Sequence, residues 1–95
     1  MTVYALAQIS ITDREAYDRY QARFMEVFMK FGGRLLAADA TPRVLEGRWE
    51  RDKVILMSFP DEASFHEWAR SPAYRAIGED RIAGSEGVVL LIDGL

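Results

Sequence analysis

The chain has 95 residues, 49% of them hydrophobic and 28% charged, with a formal net charge of -3 at pH 7. That length and balance suit one globular domain over residues 1–95 and exclude a disordered, fibrous or collagen-like chain. The acidic balance offers no basic field to neutralise phosphates, so nucleic acid is not an expected partner, and the absence of cysteine removes disulfides, thiolate nucleophiles and iron–sulfur ligation.

Val3 to Ile11 opens the chain as a predicted strand, with Val3, Ala5, Ala7, Ile9 and Ile11 on one face and Tyr4 and Leu6 on the other. The first residues carry no basic segment, apolar signal core or cleavage site. No apolar run is long enough to span a bilayer, so the expected location is cytoplasmic, with no membrane partner. Thr12-Asp13-Arg14-Glu15 places a hydroxyl at an N-cap and a carboxylate three residues on, the start of a long helix. Along it Tyr17, Tyr20, Phe24, Val27, Phe28 and Phe31 recur at spacings of three and four and share one face. Gly32-Gly33 ends that helix.

Arg34 to Ala38 reads as a second strand. Asp39-Ala40-Thr41-Pro42 interrupts it with a bulge or bend, and Val44 to Trp49 reads as its continuation or neighbour. Glu50-Arg51-Asp52 is expected as a polar turn joining it by a short hairpin to a third strand, Lys53 to Phe59. Pro60 closes that strand and Asp61 caps a helix burying Phe65, Trp68 and Ala69. Ser71-Pro72 then restarts a helical piece through Tyr74, Ile77 and Ile82. Gly84 to Gly87 is expected as a loop before the last strand, Val88 to Ile92.

This order predicts an α+β fold of the ferredoxin-like βαββαβ type, a four-stranded antiparallel sheet with its helices on one face. Val54 to Phe59 and Val88 to Ile92 are nonetheless apolar on both alternating faces, which requires cover on both sides. A second copy packed on the open face would supply it, giving a homodimer whose two sheets close into a barrel.

Several words then stand out together: Gly32-Gly33-Arg34, Leu45-Glu46-Gly47-Arg48-Trp49, Phe59-Pro60, Trp68, Ser71-Pro72-Ala73-Tyr74 and Arg81. In this combination, which spans nearly the whole chain, the sequence resembles the DUF1330 family. It departs at Asp61, where that family usually has serine, an exchange between two helix-capping residues. The resemblance implies the dimeric α+β barrel superfamily, whose members include cofactor-independent monooxygenases, muconolactone isomerase-like enzymes, haem enzymes and proteins without demonstrated chemistry. It implies no particular substrate.

His66 is the only histidine and the one side chain whose ordinary pKa lies near neutrality, but it sits beside the Phe65, Trp68, Ala69 face and reads as solvated or helix-flanking. No metal-ligand spacing occurs and no cofactor fingerprint is present; a haem ligated by His66 stays open. Tyr20, Trp68 and Tyr74 read either as core aromatics or as ligand contacts. Arg34, Arg48 and Arg81 read either as partners of carboxylates such as Glu46 or as forks for a ligand oxygen. Tyr20 lies midway along the first helix, Trp68 and Tyr74 flank the Ser71-Pro72 break, and Arg81 follows Tyr74 by two turns. These four are therefore the candidate ligand-binding residues of one cleft between helices and sheet, with no catalytic residue assigned. Two roles fit them: transforming a small organic acid or enolisable metabolite without a cofactor, or non-catalytic small-molecule binding.

Overall fold

Val3, Ala5, Ala7 and Ile9 of strand β1 (Val3–Ile11) are buried, while Tyr4, Leu6, Gln8 and Ser10 between them are half-buried, so the strand has an inner and an outer face. The structure, a computed structural model describing residues 1–95, sets β1 beside β3 (Lys53–Phe59) at the sheet centre, with β2 (Arg34–Asp39) and β4 (Ser85–Asp93) at the edges. Every pairing is antiparallel, in the order β2-β3-β1-β4. Leu6 stands opposite both Leu56 and Leu90, and Ala7 opposite both Ile55 and Val89. Paired residues share a face, so the outer face carries leucines and the inner face the smaller core residues.

Helices α1 (Arg14–Phe28), α2 (Glu62–Arg70) and α3 (Pro72–Gly84) cover the inner face. The interlocked βαβ units are those of the expected ferredoxin-like fold. Phe28, Phe59 and Trp68 meet edge-to-face or tilted at 5.4 to 5.6 Å between ring centroids and anchor one end of the core. No helix is long and apolar enough to cross a membrane.

Three local expectations need correction. The N-cap of α1 is Asp13, whose Oδ1 accepts from the amides of Glu15 at 3.1 Å and Ala16 at 3.3 Å. Thr12 is tied instead to the α3 terminus, its amide donating to the Gly84 carbonyl at 2.9 Å. The bend expected at Asp39 to Pro42 is present at Ala40 and Thr41, and a bulge lies ahead of it, at Leu35 to Ala37 inside β2. Val44 to Trp49 forms no strand, and residues 40–52 link β2 to β3 as an irregular arm, without the short Glu50-Arg51-Asp52 hairpin. β2 already holds the place beside β3 that a hairpin from Val44 to Trp49 would take, and Pro42 has no amide to donate. The arm leans over the outer face at its rim: the Trp49 indole donates to Gln8 Oε1 at 3.0 Å and Arg51 to Ser10 Oγ at 3.3 Å. Finally, the expected Gly84 to Gly87 loop is absent. The Gly84 carbonyl also takes the Asp13 amide, Ser85 Oγ donates to the Arg81 carbonyl at 2.7 Å, and the chain passes directly from α3 into β4.

Candidate ligand cavity

Alternation on β1 places Ala7 and Ile9 under the helices, and the small alanine leaves room beneath the aromatic stripe Tyr17, Tyr20, Phe24 of α1. The space between is a cavity of about 400 Å³, within the range that holds small organic ligands. Its exposed lining residues are Gln21, Met25, Leu35 and Ala38, between α1 and β2, and Val89 on β4.

All four residues singled out from the sequence line this cavity: Tyr20 from α1, Trp68 from α2, and Tyr74 and Arg81 from α3. The junction between α2 and α3 sets two of them. Ser71 Oγ donates to the Trp68 carbonyl at 2.8 Å and accepts from the Tyr74 amide at 3.1 Å, which closes one helix and caps the next. The Trp68 and Tyr74 rings consequently lie 4.2 Å apart, centroid to centroid. Tyr74 and Tyr20 share a hydrogen bond between their hydroxyls at 2.9 Å. Burial, then the neighbouring Tyr74, hold the Tyr20 phenol well above its ordinary pKa, so it stays neutral and keeps its proton to donate.

Two donors in the wall have no partner within the protein. Trp68 Nε1 and Arg81 Nε are both buried and unbonded. A buried donor left unsatisfied costs about 1–3 kcal/mol. A further polar pair lies in the same wall: Lys53 Nζ donates to Tyr17 Oη at 3.2 Å and stands 5.3 Å from the centroid of its ring. No aspartate, glutamate, histidine or cysteine lines the cavity. Its electrostatics are therefore one-sided: two cations and several donors in an apolar wall, with no anionic side chain against them.

The remaining sequence candidates lie elsewhere. His66 faces outward on α2 with Nε2 3.2 Å from Glu62 Oε2, so the cavity offers no histidine to ligate a haem iron. Arg48 pairs with Glu50 at 3.0 Å on the exposed arm, and Arg34 is exposed at the start of β2. Glu46 is exposed on the same arm and makes no ion pair with Arg81. Sequence reasoning missed Lys53 and took Tyr17 only as core. The signal was the alternation Lys53, Ile55, Met57, Phe59, which puts the lysine on the inner face in line with buried residues.

The profile of a family described as a domain of unknown function, DUF1330, matches residues 2–95. No curated protein matches the chain by sequence. Among solved structures, RPA0582 from Rhodopseudomonas palustris, a protein of unknown function, superposes with a TM-score of 0.85 at 22% identity, over 99% of this chain and 82% of that one. A dimeric ferredoxin-like protein of unknown function from Jannaschia sp. CCS1 gives 0.71 at 23% identity, over 100% and 99%. SnoaB from Streptomyces nogalater, a cofactor-independent oxygenase, gives 0.70 at 14% identity, over 99% and 93%. At these identities the likeness is one of fold.

Proposed function

We propose that this chain, which belongs to the DUF1330 family, binds a small organic anion with an apolar body, or an enolisable carbonyl compound, in the cavity of each subunit of a homodimer. The observation that carries this reading is the one-sided wall, in which Lys53, Arg81 Nε and Trp68 Nε1 meet no carboxylate. Such a wall rewards a ligand that brings acceptor oxygens and negative charge, and rejects a cation of the same shape. Tyr20, Trp68 and Tyr74 supply flat apolar surface for the body of the ligand, and Arg81 a fork for its oxygen atoms. Use without a cofactor accords with the fold shared with SnoaB, which supports it by analogy alone. The absence of histidine and carboxylates from the wall favours the second reading, plain binding without chemistry.

Phenylpropionate, phenylpropionamide and phenylpropylamine keep one body and vary only its charge. Calorimetry should rank them anion first, amide second and amine last. Arg81→Ala should weaken the anion about 10-fold or more, as expected for a hydrogen bond to a charged group worth about 1.5–3 kcal/mol. Equal affinity for anion and amine would sink the proposal. If Arg81 served structure alone, its loss would lower the melting temperature and leave anion affinity unchanged.

A further inference from the structure

The Tyr17 and Lys53 pair joins a cation of the cavity wall to a buried phenol. Tyr17 is almost wholly buried, and its hydroxyl oxygen accepts a hydrogen bond from the ammonium at 3.2 Å. No protein atom accepts the proton of that hydroxyl. Lys53 in turn has no carboxylate within ion-pairing distance, so the phenol oxygen is the only side-chain partner of its charge. Tyr20 is matched differently, since its hydroxyl is tied to that of Tyr74 and burial holds it neutral.

We infer that Tyr17 and Lys53 form a proton-transfer pair for a carbonyl anion bound in the cavity, interconverting its enolate and keto forms. The inference rests on the binding reading above. In the direction of ketonisation, the Tyr17 Oη–H bond breaks and a C–H bond forms at the enolate carbon. The electron pair of the C=C bond makes that C–H bond, and the enolate oxygen regains its C=O double bond. Tyr17 is left as a phenolate beside the Lys53 ammonium, whose charge-assisted hydrogen bond holds it until solvent returns the proton. Enolisation is the same step reversed. No electron leaves the ligand and no co-reactant is consumed. Arg81, in the same wall, is the group available to the oxygen on which enolate charge collects.

Phenylpyruvate is a suitable probe, uniting an aromatic body, a carboxylate and an exchangeable methylene. In buffered heavy water, proton magnetic resonance follows loss of the methylene signal with and without protein, and calorimetry measures binding of the same compound. The expected result is exchange faster than in buffer, retained by His66→Asn and lowered about 100-fold by Tyr17→Phe, the lower range of what a positioned acid or base contributes. Lys53→Met should also lower it at unchanged fold, which a thermal melt checks; Tyr17→Phe should still bind the probe, while Lys53→Met, which removes a cation of the wall, should bind it more weakly and is compared at saturating probe. Should phenylpyruvate bind yet exchange only at the buffer rate, the pair has no such role while the binding reading stands. Should Tyr17→Phe exchange as fast as the parent, another group moves the proton and the assignment is overturned. Should the probe and the simple carboxylates alike fail to bind, both readings fall together.

Discussion

Tyr20 and Tyr74 are joined by a single hydroxyl–hydroxyl bond inside an otherwise apolar wall, so each supplies the partner that the other needs. Replacing Tyr20 with phenylalanine keeps the ring and strands the Tyr74 hydroxyl, and should cost about 1 kcal/mol of stability, measured by urea unfolding. The pH dependence has a definite sign. Because the folded-state pKa of Tyr20 lies above the unfolded value near 10.0, its neutral form is favoured by folding. That contribution is complete below pH 10.0 and is lost as pH rises above it, when the unfolded chain ionises first. Absorbance titration should therefore show one of the four tyrosines withholding its phenolate until the protein unfolds. Tyr20→Phe should abolish that late component, and a Tyr20 that titrates freely near its ordinary value contradicts the burial argument. The aromatic members of the site were legible because helical spacing lines them up on α1 and across the Ser71-Pro72 break. Lys53 was not, because a lysine after Glu50-Arg51-Asp52 reads as the wet end of a turn. Its bond to Tyr17 joins residues that only the sheet register brings together.

Among the elements, two junctions do the positioning, and each turns on a small residue. Ser71 ends α2 and starts α3 with one hydroxyl. Ser71→Ala should cost about 1 kcal/mol, within the usual range for loss of an N-cap, which corresponds to roughly 4–8 °C in melting temperature for a domain of this size. Because Trp68 and Tyr74 flank that hydroxyl, the same variant should change tryptophan fluorescence and weaken binding of phenylpropionate. Gly84 acts at the other end of α3: a Cβ there would lie 2.5 Å from the Tyr17 amide nitrogen and 2.9 Å from the Asp13 carbonyl oxygen. Backbone cannot yield as a side chain can, so Gly84→Ala should destabilise more than Ser71→Ala in thermal melts. A smaller loss would show that the approach of α3 to α1 is looser than described. Strands and helices were readable because their hydrophobic periods are strong; the arm over residues 40–52 misled for the same reason. Val44, Glu46 and Arg48 alternate with Leu45, Gly47 and Trp49 as a strand would, yet β2 already fills the place beside β3 that a hairpin from this segment would take, which no local pattern records.

At the scale of the whole molecule, the covered and uncovered sides of the sheet are chemically alike. Beneath the helices lie Ala5, Ala7, Ile55 and Met57. On the outer face the register collects Leu6, Leu56 and Leu90 in one row, with Val54, Val88 and Ile92 beside them. In the single chain, Val88 to Ile92 remain 37% to 52% exposed on both faces of β4, an edge strand that the helices barely reach. Contiguous apolar surfaces of this kind are typical of association sites, and a second copy, the occupant proposed above, would offer the same leucine row across a two-fold axis. Sedimentation at micromolar concentration should then give about twice the chain mass of 10.8 kDa. Leu90→Glu supplies the sharper test, because it sets a carboxylate in the middle of the row. If the face is solvated, a charge at this half-exposed position should leave mass and stability nearly unchanged. If two faces meet there, the buried carboxylates should drive the protein to a mass near 10.8 kDa. The cavity lies on the opposite side of the sheet, so a folded Leu90→Glu monomer should still bind phenylpropionate. Loss of binding together with the dimer would mean instead that pairing of the sheets holds the inner cavity in shape.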